Sequence, residues 1–205
     1  MLSWSVDAAL QSGLFQRVCV STEDQEIVQV ASHAGAEVLR RPEFLASDSA
    51  TVAQVCVHHL KEWLASGESF DHLYCLYPTA PLRNADDLCD IASIFATQPD
   101  AIAVVAVSKF MHYPHQALQV CANGELRPFW PELANMRGSE LPHLVAGNGS
   151  TYAVSIESFL KTQSFLPSNG LYSHHMNLLS SIDVDTSDEY QLVQAAWALR
   201  KTKTT

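Results

Sequence analysis

Asp71-His72-Leu73-Tyr74-Cys75-Leu76-Tyr77, closed by Pro78-Thr79-Ala80-Pro81, is the stretch on which the fold turns. From Leu73 the run is apolar without alternation and too short for a typical helix, which predicts a strand covered on both faces. The two prolines end it, because proline donates nothing to a ladder and restricts the residue before it. Asn84 to Ala96 then reads as a helix opened by Asn84, Asp86 and Asp87, and Ala101 to Val107 as a second buried strand. Upstream, the spacing predicts helices over 3–12, 24–34 and 50–65, with strands over 17–22 and 36–39 between them. Strands alternating with helices imply an α/β domain: a mostly parallel sheet with helices on both faces. In such sheets ligands sit beyond the carboxyl ends of the strands. Ser21-Thr22, Pro78-Thr79 and Ser108 all fall at those ends.

The rhythm breaks from Lys109 to Gly149. Prolines 114, 128, 131 and 142 punctuate this segment, and Asn123-Gly124 predicts a hairpin between 117–121 and 125–129. It reads as a small β insertion suited to a dimer contact. Residues 150–155 return to the sheet, 156–161 form a short helix, 178–184 a strand, and 187–201 a closing amphipathic helix. The polar tail from Lys201 to Thr205 reads as a loose end.

Composition narrows the classes of function. The chain has 205 residues, 47% of them hydrophobic, enough for one domain with an ordinary core. A formal net charge of -10 argues against a general nucleic-acid binder, although a local arginine or a metal can still receive an anionic substrate. No apolar run is long enough to cross a bilayer, and no signal peptide is evident. The five cysteines show no C-x-x-C spacing and read as free thiols of a reduced, cytoplasmic protein.

Ser181-Ile182-Asp183-Val184-Asp185-Thr186 carries the most pointed chemistry. In an extended run, residues i and i+2 face the same way, so Asp183 and Asp185 can offer oxygen to one hard divalent cation such as Mg²⁺. Read alone, the same stretch is more simply a strand end running into a helix cap. The pairs His58-His59 and His174-His175 match no zinc spacing and read as solvated or packing histidines. His112 and His115 lie near the same region without a motif.

Several further motifs occur in order. They are Val20-Ser21-Thr22-Glu23-Asp24-Gln25-Glu26-Ile27, Arg41-Pro42-Glu43-Phe44-Leu45-Ala46-Ser47-Asp48-Ser49-Ala50, Tyr77-Pro78-Thr79-Ala80-Pro81-Leu82, Phe129-Trp130-Pro131-Glu132, Arg137 with Leu141-Pro142, Asn148-Gly149 through Tyr152, and Ile182-Asp183-Val184-Asp185. As an ordered set they resemble the cytidylyltransferases that activate nonulosonic acids, the CMP-sialic acid synthetase family, with the Y-P-T-A-P form closest to its pseudaminic acid branch. The resemblance implies a Rossmann-like nucleotidyltransferase that converts CTP and a nonulosonic acid to the CMP-sugar and pyrophosphate, working as a homodimer. Asp183 and Asp185 would be the catalytic metal pair, holding Mg²⁺. Arg41, Ala50 and Ser21 would bind the nucleotide. Tyr77, Thr79, Asn148 and Tyr152 match sugar-site positions, and Arg137 one that can pair with the sugar carboxylate. Without the resemblance each has a plainer reading: a loop brace for Arg41, turn chemistry for Thr79, a hairpin turn for Asn148-Gly149, strand packing for Tyr152.

The start departs from the family pattern, which opens with a strand and a Gly-rich basic phosphate loop. Met1-Leu2-Ser3-Trp4-Ser5 resembles the point just after that loop. The expectation for residues 1–205 as a single domain is therefore a missing first strand and phosphate loop, exposed backbone edges, poor solubility and little or no catalysis. Other 2-keto sugar acids, N-acylneuraminate among them, are alternative substrates. A non-catalytic homologue that binds a cytidine nucleotide or an intact subunit is the alternative of another class.

Overall fold

The computed structural model describes residues 1–47 and 49–203, with no side-chain detail from Arg200 onward. The order of elements is α1 (Leu2–Ser12), β1 (Cys19–Thr22), α2 (Gln25–His33), β2 (Glu37–Arg40), α3 (Val52–Ala65), β3 (His72–Leu76), α4 (Ala85–Thr97), β4 (Ala103–Lys109), β5 (Leu118–Val120), β6 (Leu126–Pro128), β7 (Val145–Ser155), α5 (Ile156–Thr162), β8 (Leu171–His175) and α6 (Ser187–Lys203). Asp48, within the Arg41–Ala50 motif, and Thr204-Thr205 of the polar tail lie outside the described residues.

Local chemistry sets the helix starts. Asp24 accepts from the backbone of Glu26 and Ile27 at the head of α2. Thr51 with Gln54, and Asn84 with Asp87, form reciprocal capping boxes for α3 and α4. Strands β1 and β2 pair in parallel, and a four-stranded sheet runs β3-β7-β4-β8. In that sheet β4 and β8 are parallel, and β7 is antiparallel to both of its neighbours. The β3, β4 and β8 strands therefore share one direction, and β7 is the exception.

Helices cover both faces of this sheet, as alternating residues along one strand show. Ala103 and Val154 pack with Val57 and Leu60 of α3 and with Ile156 and Phe159 of α5. Their neighbours Val104 and Ala153 turn the other way, onto Ile91 of α4. Helix α1 bridges the two sheets: Val6 joins Val18, Val20 and Val38, while Ala8 and Ala9 join Leu88, Tyr74 and Leu76.

Two expectations need correction. The stretch 178–184 is not a strand. Residues 178–181 form a turn on Asn177, and Leu178 and Leu179 are exposed. Ser180 and Ser181 of the turn are buried, and the extended piece beyond it is tied to the body of the domain by the Val184 amide donating to the Thr79 carbonyl at 2.8 Å. The sheet position beside β4 belongs instead to β8. Its sequence, Leu-Tyr-Ser-His-His, has a polar second half, and its His174 is buried against Asp87 of α4 at 3.0 Å. The second correction is to β7, which begins at Val145 rather than Ser150, so Asn148-Gly149 lies inside a strand and is no hairpin turn. The hairpin at Asn123-Gly124 forms as β5 and β6.

Candidate active site

The site grows from an irregularity in β7. Its pairing with β4 runs regularly to Val105–Tyr152 and resumes at Val107–Gly147. Four residues of β7, Asn148 to Thr151, thus stand opposite the single Ala106, a bulge of the kind that re-aims side chains beside functional sites. Gly149 takes φ +71°, where side chains are disfavoured, and a Cβ there would overlap the Asp183 carboxylate, with Asp183 Cγ at 3.1 Å. The bulge thus lets Asp183 lie directly on the backbone. Asn148 holds the bulge: its Oδ1 accepts from the Ser150 amide at 3.1 Å and from the Ser150 hydroxyl at 2.8 Å.

Across the site, Tyr77 and Tyr152 meet edge-to-face with centroids 5.9 Å apart. Burial above all, then Cys75, Tyr152, Cys56 and the Asp183 carboxylate, pushes the Tyr77 phenol up to about 12. Tyr77 keeps its proton at neutral pH and can donate to an anionic or hydroxylated ligand. Thr79 lies in the turn after β3 and accepts from Val184, which ties that turn to the Asp183 segment. Ile182 and Val184 pack with Leu82, Val193 and Ala196. In an extended run this directs the alternate residues Asp183 and Asp185 away from that cluster. Asp183 Oδ1 is buried and has no hydrogen-bond partner among the described residues. Such an orphaned carboxylate oxygen is costly unless a cation or donor meets it. Asp185 is exposed at the head of α6, where its own amide donates to Glu189 Oε2 at 2.9 Å. Thr186 and Glu189 do the capping here, which leaves the carboxylates of Asp183 and Asp185 as the groups that could offer oxygen to a hard divalent cation.

The expected nucleotide residues form a second group. Arg41 donates to the Ser21 carbonyl at 2.6 Å and stands 3.6 Å from Glu23, and the Ser21 hydroxyl meets His59 Nε2 at 2.9 Å. Ala50 lines a groove of about 420 Å³ with Phe44, Ser47, Gln54 and His58. Arg137 is exposed in the 129–144 loop, where its amide donates to the Glu140 carboxylate and its carbonyl accepts from the Glu140 amide. One contributor escaped the sequence reading: Arg83, 3% exposed, donates to the Ser150 carbonyl at 2.6 Å and so braces the bulge from beneath. Burial lowers its pKa to about 10, against the pull of Asp87 and Cys75, so it stays charged at neutral pH. An arginine directly after Pro81-Leu82, in an apolar setting, is the signal that could have found it.

The fold is that of an α/β nucleotidyltransferase. Within that class the chain is similar to the cytidylyltransferases, whose family model matches residues 1–97. It is 28% identical to the pseudaminic acid cytidylyltransferase of Campylobacter jejuni over 185 residues, 89% of this chain and 79% of that protein. It is 25% identical to the N-acylneuraminate cytidylyltransferase of Escherichia coli over 94% of this chain, but spans only 44% of that longer protein. Among solved structures, a CMP:2-keto-3-deoxy-manno-octonic acid synthetase complexed with CTP shares the fold, with a TM-score of 0.66 at 15% identity, covering 97% of this chain and 88% of that one. Among the described residues, no helix is long and apolar enough to cross a membrane.

Proposed function

We propose that this protein transfers CMP from CTP to a nonulosonic acid, with pseudaminic acid favoured over N-acylneuraminate and other 2-keto sugar acids. The observation that carries the reading is the orphaned carboxylate of Asp183 laid on the Gly149 bulge, beside Tyr77 and Tyr152. In the reaction the anomeric hydroxyl oxygen of the sugar bonds to the α-phosphorus, the bond to the β-phosphate breaks, the hydroxyl proton is released and pyrophosphate leaves. Asp183 and Asp185 would hold Mg²⁺, which when bound neutralises charge on the triphosphate. Tyr77, Thr79, Asn148 and Tyr152 would orient the sugar acid. Arg41, Ser21 and Ala50 would receive the nucleotide, and Arg137 would reach the sugar carboxylate from its loop. Burying the polar edge of cytosine unpaired costs roughly 1–3 kcal/mol, which is why a fixed guanidinium and backbone groups are suited to that end. The free state of all five cysteines fits a reduced, cytoplasmic setting.

The 109–149 segment is the proposed homodimer contact. Its hairpin and the loop beyond it expose Leu118, Val120, Leu126 and Phe129, each more than half accessible, an apolar surface suited to a second copy.

The test is CTP-dependent pyrophosphate release with Mg²⁺ and pseudaminic acid. Residues 1–205 are assayed beside a form extended at Met1 by a Gly-rich basic phosphate loop. Turnover by either form, abolished by Asp183→Asn with the circular dichroism unchanged, supports the reading. Silence of both forms with every nonulosonic acid, together with retained binding of cytidine nucleotides, refutes it in favour of a non-catalytic nucleotide binder.

A further inference from the structure

Helix α3 presents His58, His59 and Glu62 on one side of its second turn, away from the Asp183–Gly149 centre in sequence and made of different donors. His59 Nδ1 stands 3.3 Å from Glu62 Oε2, and His58 Nε2 stands 3.5 Å from Glu62 Oε1. All three donor atoms lie within 4.8 Å of one another. A tetrahedral ion with ligands at about 2.0–2.1 Å separates its ligand atoms by about 3.3–3.4 Å. The two histidine–carboxylate separations are about that length, each to a different oxygen of Glu62, so the carboxylate can meet an ion held by both imidazoles through one or both of its oxygens.

We propose that His58, His59 and Glu62 form a binding site for a borderline divalent transition ion of the Zn²⁺ type, distinct from the Mg²⁺ site assigned to Asp183 and Asp185. Imidazole donors select Zn²⁺, Co²⁺ or Ni²⁺ and leave Mg²⁺ to the oxygen-only site. The far nitrogen of His59 is already engaged, with Nε2 at 2.9 Å from the Ser21 hydroxyl. Metal-bound histidines are commonly oriented by such a bond on the opposite ring nitrogen. When Nε2–H donates to Ser21, the Nδ1 lone pair and the Glu62 carboxylate face each other as two acceptors, an arrangement that a cation between them satisfies. The competing tautomer places Nδ1–H toward Glu62 at 3.3 Å, a long hydrogen bond. Arg41 is the nearby opposing charge, and it is occupied by Glu23 and the Ser21 carbonyl. Glu62, 60% exposed at its side chain, leaves the remaining coordination positions to water. Occupancy would fasten α3 to Ser21 on β1, within the group assigned to the nucleotide.

The test is calorimetric titration of the metal-stripped 205-residue chain with Zn²⁺, alongside the visible spectrum of its Co²⁺ complex. The expected result is one tight equivalent in the wild type. It should be weakened at least about tenfold in both His58→Ala and Glu62→Gln, unaffected by Asp183→Asn, and not displaced by millimolar Mg²⁺. His58 and Glu62 are not core positions, so both variants fold, which circular dichroism checks. Equal affinity and stoichiometry in wild type and both variants, or no tight equivalent in the wild type, overturns the site. None of these readouts depends on catalysis.

Discussion

Gly149→Ala is the most informative single change, because two separable penalties meet there. The backbone stands at φ +71°, where a side chain costs on the order of 1–2 kcal/mol. The added methyl also overlaps the Asp183 carboxylate, and at ordinary contact distances that carboxylate must retreat by about 1 Å. Its buried Oδ1 leaves little room to do so, which adds about 1 kcal/mol or more of strain. Gly124→Ala is the control: its φ is +80° and the added methyl meets nothing within 4 Å, so it carries only the backbone penalty. Urea unfolding of both variants should show Gly149→Ala losing roughly 2–3 kcal/mol and Gly124→Ala roughly half of that. In an Asp183→Ala background the extra loss at position 149 should disappear, since the clash partner is gone. Pyrophosphate release should fall at least about a hundredfold for Gly149→Ala, because a displacement near 1 Å is enough to do so. Equal losses at the two glycines, or an unchanged penalty in the Asp183→Ala background, would refute the close approach of Asp183 to the bulge.

Three further outcomes follow from named contacts. Arg83→Met should cost about 1 kcal/mol in urea unfolding by removing the charged donor from the Ser150 carbonyl, which keeps only the Tyr77 amide, and an unchanged midpoint would show that the bulge does not need the guanidinium. Val120→Glu, at a residue 71% exposed in one copy, should leave the monomer's stability within about 0.5 kcal/mol while driving sedimentation toward the monomer; an undisturbed dimer would move the contact elsewhere. Iodoacetamide at pH 8 should modify Cys19 and Cys75 last. Burial and Glu37 push the Cys19 thiol up to about 11, leaving about one part in a thousand as thiolate, and the Cys56 thiol with burial pushes Cys75 higher still. Mass spectrometry that found either among the first sites labelled would contradict these environments.

The sequence by itself determined the alternation of elements, since it is written in short-range chemistry: caps at Asp24, Thr51 and Asn84, and unbroken apolar runs at 73–77 and 101–107. Through a resemblance carried by an ordered set of motifs it also suggested Asp183 as a metal ligand and Tyr77, Thr79, Arg137, Asn148 and Tyr152 as sugar-site positions; the fold lays Asp183 on the Gly149 bulge next to Asn148 and sets Tyr77 against Tyr152. Tertiary structure decided what depends on partners distant along the chain. Leu178–Val184 has the apolar look of a strand, but β8 takes the place beside β4, because His174 is buried against Asp87 rather than left to solvent. Asn148-Gly149 has the look of a turn in any sequence; its bulge exists because β7 pairs with β4 in two registers, one on each side of Ala106, that differ by several residues. The roles of Arg83 and His59 were hidden for the same reason. A buried arginine reveals itself only through the carbonyls above it, and a histidine on a helix becomes a ligand candidate only when Glu62 and Ser21 close around its two nitrogens.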